Sequence, residues 1–94
     1  MSTPVIFRIY RDGEVTALFP ATPADNSGSL CSSYQHVGQH AAANDLLVVM
    51  TTKLAKPEEY ADLLAELVQI GYDDLKIYKR VQQWMYDTRR DAAK

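Results

Sequence analysis

Phe7-Arg8-Ile9-Tyr10-Arg11-Asp12-Gly13-Glu14-Val15-Thr16-Ala17-Leu18-Phe19-Pro20 is the stretch that decides the fold of this chain. Val5, Phe7 and Ile9 alternate with Ile6, Arg8 and Tyr10, and Val15, Ala17 and Phe19 alternate with Thr16 and Leu18. That is the two-residue period of strands. Asp12-Gly13 between them supplies the turn, since glycine accepts the positive φ of a tight hairpin. The spacing predicts a β-hairpin. Pro20, lacking the N–H a ladder needs, is expected to end its second strand.

Outward from the hairpin, residues 21–29 are turn formers throughout and read as a surface loop. Leu30 to Val37 reads as a third strand, closed by Gly38. Ala41 to Lys53 is ambiguous: Ala41-Ala42-Ala43 favours helix, while Leu46 to Thr52 suits a buried strand or one short helix under an Asn44 or Asp45 cap. A helical start over 45–50 is the preferred expectation.

A second helix is well signed from Pro57 to Ile70. Proline suits the first helical position, and Glu58 and Glu59 sit where the helix dipole favours negative charge. Tyr60, Leu63, Leu64, Leu67 and Val68 make an apolar stripe at helical spacing. Gly71 is placed to cap the helix in the left-handed conformation. Leu75 to Val81 alternates as a last strand. Gln82 to Lys94 reads as an extension of that strand or as a short helix, with a partly mobile end. These elements predict one α+β domain over residues 1–94, an antiparallel sheet of about four strands in the order β-β-β-(α)-α-β against one main helix.

The 94 residues are 47% hydrophobic and 23% charged, which excludes wholesale disorder. A net charge of −2 gives no global case for nucleic-acid or membrane attraction. The lone Cys31 points to a buried thiol in a reducing compartment. No signal-peptide pattern and no membrane-length apolar run is present, so cytoplasmic residence is expected. Charge is uneven: Glu58, Glu59, Asp62, Glu66, Asp73 and Asp74 precede the basic Lys76, Lys79, Arg80, Arg89, Arg90 and Lys94.

Ser33-Tyr34-Gln35-His36-Val37-Gly38-Gln39-His40 concentrates hydrogen-bonding side chains, including both histidines of the chain. On a helix, His36 and His40 would share a face as metal ligands. On an extended chain their rings lie roughly 13 Å apart, too far for one ion. Ser32, Ser33 or Cys31 with His36 or His40 and Asp45 offers the residue types of nucleophilic catalysis without a recognised spacing. Glu58, Asp62 and Glu66 read as a solvated helix edge. Arg8, Arg11, Lys79 and Arg80, near Tyr34 and Tyr78, suit phosphate contact and base stacking. Trp84, beside Met85 and Tyr86, has the character of an interface anchor.

The hairpin residues, the Ser33–His40 run, Pro57-Glu58-Glu59-Tyr60 and Ile70-Gly71-Tyr72 resemble a family of short uncharacterised proteins encoded by bacteriophages and prophages. The resemblance covers about residues 5 to 81, and its most specific part is the Tyr-x-His-Val-Gly-Gln-His run. The chain departs from the pattern in the apolar stretch Leu46 to Thr52 and in its Trp-containing tail. The family carries no catalytic residues or cofactor across. What the resemblance implies is a small cytosolic accessory protein made during infection that acts by binding, either blocking a host or defence protein or sequestering a small molecule; the first is the preferred expectation.

The expected contact residues are therefore Tyr34, Gln35, His36, Gln39, His40, Arg8, Arg11, Lys79, Arg80 and Trp84, with a homodimer expected because a small sheet leaves edges to cover. A nucleotide-binding sponge is the alternative, and a His-dependent metal or hydrolase site the weaker one.

Overall fold

The computed structural model describes residues 2–35 and 39–93. β1 (Thr3–Ile9) and β2 (Val15–Pro23) form the predicted hairpin, with Ile6 opposite Leu18 and Phe7 opposite Ala17. Gly13 closes the turn at φ +92°, its N–H donating to the Tyr10 carbonyl at 2.9 Å. β2 does not stop at Pro20 but runs on to Pro23. Its register against the next strand shifts between Phe19 and Pro23, so Pro20 occupies an irregularity where no ladder N–H is required.

β3 (Cys31–Gln35) and β4 (Gln39–Ala43) make a second antiparallel hairpin, pairing Tyr34 with His40 and Ser33 with Ala41. Residues 36–38, which the sequence assigns to the end of the third strand, lie outside the described residues. Ala41-Ala42-Ala43 is strand, not helix: pairing with β3 overrides the local preference of alanine. α1 (Asp45–Thr51) begins directly afterwards, with Asn44 Oδ1 accepting the Leu47 N–H at 3.2 Å.

β5 (Lys53–Leu54) then pairs antiparallel with Arg8 and Ile9 of β1. In α2 (Pro57–Gln69), Glu59 Oε1 reaches back to accept the Lys56 N–H at 2.8 Å. The helix ends in a Schellman arrangement: Gly71 at φ +123° donates to the Val68 carbonyl, and Tyr72 donates to that of Leu67. β6 (Leu75–Ile77) runs parallel to the start of β1. The tail forms α3 (Gln83–Ala92), which packs on β2.

The α+β class read from the sequence is thus what the chain adopts, with a wider sheet of six strands and three helices. The strand order is β4-β3-β2-β1-β5, and β6 shares the free side of β1 with β5. Val5, Phe7, Ala17, Phe19 and Tyr34 face α2 through Leu63 and Leu67. Ile6, Leu18 and Cys31 face the other way, against Val48 and Val49 of α1 and against Tyr78 and Val81. Both faces of the sheet are covered, leaving its edges as the open backbone. Val68, placed by spacing on the buried stripe of α2, is 57% exposed. Among the described residues no helix is long and apolar enough to cross a membrane.

Candidate functional site

The residues singled out in the sequence fall into two groups on opposite faces of the sheet. On the α2 face, Tyr34 is 1% exposed and belongs to the core, so it offers no ring to a base. Its hydroxyl donates to Glu66 Oε2 at 2.6 Å, which takes Glu66 out of the solvated edge that its spacing predicts. His40 is exposed on β4, with its ring edge-on to Tyr34 at 4.7 Å between centroids. His40 Nε2 stands 3.0 Å from Tyr72 Oη. Tyr72 in turn stacks on Phe19, and burial pushes its hydroxyl above the ordinary tyrosine range. The cluster therefore fixes β4 against the cap of α2. Gln35 is half-buried opposite Gln39, and His36 lies outside the described residues.

On the opposite face, Arg8 is half-buried and serves the end of α1. Its Nε donates to Thr52 Oγ1 at 2.9 Å, and its Nη2 donates to the carbonyls of Val49 (3.0 Å) and Thr52 (2.7 Å). Those are the carbonyls a helix C-terminus leaves without internal partners. Burial alone lowers the pKa of this guanidinium. Lys79 and Arg80 follow β6 and line one cavity with Arg8, of about 210 Å³. Arg11 is not part of it. Arg11 sits at the β1–β2 turn, beside a wider depression bounded by Met50 and Lys53. Trp84 is half-exposed at the start of α3, edge-on to Tyr78, with its Nε1 donating to Gln82 Oε1 at 2.8 Å.

Beneath that cavity lies a buried ion pair that the sequence reading missed. Arg89 Nη1 stands 3.4 Å from Asp45 Oδ2, and both side chains are almost wholly enclosed. Arg89 Nε donates to the Gly28 carbonyl at 2.8 Å and Nη1 to that of Pro20 at 3.3 Å, so the bulged end of β2 and the 24–30 loop are tied to α3. The guanidinium also lies over the Tyr86 ring at 5.0 Å. Cys31 is buried nearby. Burial first, and the charge of Asp45 second, push its thiol up to about 11. The one available signal was Met85 and Arg89, four apart on one face of α3 and both buried.

The Cys31 thiol is enclosed and protonated, whereas a nucleophilic cysteine needs exposure and a lowered pKa. Ser33 Oγ donates to the Ala41 carbonyl at 3.0 Å, and His40 is committed to Tyr72. Among the described residues no group of three or more His, Cys, Asp or Glu could hold a metal ion. Comparison with known proteins returns no matching family model, no matching curated protein and no matching solved structure.

Proposed function

We propose that this chain is a binding protein of phage type, working in the host cytoplasm, that inhibits a host or defence protein by taking one of its strands onto β4. The phage setting rests on the sequence resemblance. The recognition mode rests on one observation: β4 ends the strand order and, among the described residues, carries no lysine, proline or bulge that would keep an edge from pairing. Natural edges are guarded by lysine, proline, bulges or a covering loop. Gln39-His40-Ala41-Ala42-Ala43 holds no charged residue and no proline, and its pairing with β3 is regular over five positions. His40, Ala41 and Ala42 are exposed. Small side chains let a partner backbone approach, and main-chain hydrogen bonds supply the affinity in strand addition.

The test is capture from bacterial lysate with the intact chain and with an Ala41→Lys/Ala42→Lys variant. A stoichiometric partner held by the first and lost from the second is the expected outcome. Equal capture by both would overturn the edge as the binding element.

The chain is also proposed to be a homodimer. In α1, Leu46 is 63%, Leu47 57% and Met50 82% exposed, while Val48 and Val49 turn inward. A second copy covering those three side chains would remove apolar surface from water. Sedimentation of the wild type as a dimer and of Met50→Lys as a monomer is expected. A monomeric wild type at micromolar concentration would contradict it.

A further inference from the structure

The cavity between α1, residues 79–81 and α3 has three cations on its walls, Arg8, Lys79 and Arg80. A guanidinium carries five N–H donors. Three of those on Arg8 are engaged, by Thr52 Oγ1 and by the carbonyls of Val49 and Thr52. The Nη1 group has no hydrogen-bond partner among the described residues, and none of Arg8, Lys79 and Arg80 forms an ion pair with any of them. Arg8 is thus held in one orientation with donors to spare. Lys79 and Arg80 stand exposed on the rim of the same cavity. The one acid on its wall, Asp45, is already paired with Arg89. Three cations therefore meet here without an acid of their own, in a chain whose net charge is −2.

The remaining walls are Leu46, Val49, Val81 and the half-buried ring of Tyr86. Arginine and lysine around a phosphate make charge-assisted hydrogen bonds, stronger than neutral ones. Apolar and aromatic walls suit a carbon skeleton beside it. At about 210 Å³ the space is smaller than the roughly 300–1,000 Å³ of a whole drug-sized ligand site. One phosphate on a short skeleton is the matching size.

We infer that this cavity binds a small phosphomonoester, of the size of a sugar phosphate, through Arg8, Lys79 and Arg80. The site lies on the face away from His40 and needs no partner at β4, so its failure and the failure of the edge reading are separable. The test is an NMR titration of the intact chain with ribose 5-phosphate, with ribose and inorganic phosphate as comparison probes.

Ribose 5-phosphate is expected to shift the amide signals of Val49, Val81 and Tyr86 and the Nε signal of Arg8, and ribose to shift none of them. Lys79→Glu/Arg80→Glu changes exposed side chains. It is expected to keep the wild-type unfolding midpoint and to weaken binding about tenfold or more. No shift at millimolar ribose 5-phosphate would overturn the site, as would affinity unchanged in the double variant. Inorganic phosphate binding as tightly as ribose 5-phosphate would overturn the role of the apolar wall and Tyr86, and with it the phosphomonoester.

Discussion

Arg89 carries a charge into the interior because its guanidinium meets four partners there: the Asp45 carboxylate, the Gly28 and Pro20 carbonyls and the Tyr86 ring. Removing one member of such a pair strands the other charge in a poorly solvating place. Arg89→Met is therefore expected to destabilise the fold by about 3–5 kcal/mol in urea denaturation, and Arg89→Met/Asp45→Leu to recover much of that. A single substitution costing less than about 1 kcal/mol would contradict the role of the pair.

Cys31 gives the same region a pH dependence. Its pKa is raised from 9.0 to about 11, so the folded chain keeps the thiol proton longer than the unfolded one. That contribution is complete below pH 9.0 and is lost as pH rises towards about 11. Tyr72 and Tyr86, both raised chiefly by burial, act with the same sign. Stability should hold up to pH 9.0 and fall above it, and the fall should be shallower in Cys31→Ala. An identical fall in that variant would assign the effect elsewhere.

At the scale of elements, the close approach of the 24–30 loop to α3 depends on Gly28. A Cβ there would sit 3.0 Å from the Arg90 Cα and 3.3 Å from the Arg89 carbonyl oxygen, on backbone at φ +75°. Gly28→Ala is expected to cost about 1–3 kcal/mol, measured by chemical denaturation. A neutral result would mean that the loop shifts freely against the helix.

The hairpin and α2 were legible in the sequence because their signals are local: alternation around Asp12-Gly13, and Pro57, the glutamates and Gly71 bracketing an apolar stripe. β4 was not, since three alanines carry helix preference and only pairing with β3 makes them extended. The continuation of β2 through Pro20 was hidden for a related reason. A proline ends a regular ladder, but an irregularity seen only against β3 lets the strand go on. Among the candidate site residues, the grouping of Arg8 with Lys79 and Arg80 follows from β6 lying beside β1, which no local pattern announces. The contact of Arg89 with Gly28 spans 61 residues and was invisible to any window of sequence.

Over the whole molecule, helices cover both faces of the sheet, and the outer side of β1 is filled by β5 and β6. The edge proposed to pair with a partner is β4, which contacts of His40 with Tyr34 and Tyr72 hold in place. A rigid, unguarded edge loses little conformational freedom when a partner strand docks. Exposed lysines on it should leave the fold intact while blocking that docking, so Ala41→Lys/Ala42→Lys is expected to unfold within about 0.5 kcal/mol of the wild type.

The most direct measurement is amide hydrogen exchange over Gln39–Ala43, for the chain alone and for the complex recovered from lysate. Outward-facing β4 amides should exchange quickly in the free chain and become strongly protected in the complex, with little change at β5 and β6. Protection confined to α1, or to the cavity around Arg8, with β4 exchanging as fast as before, would contradict strand addition as the mode of binding.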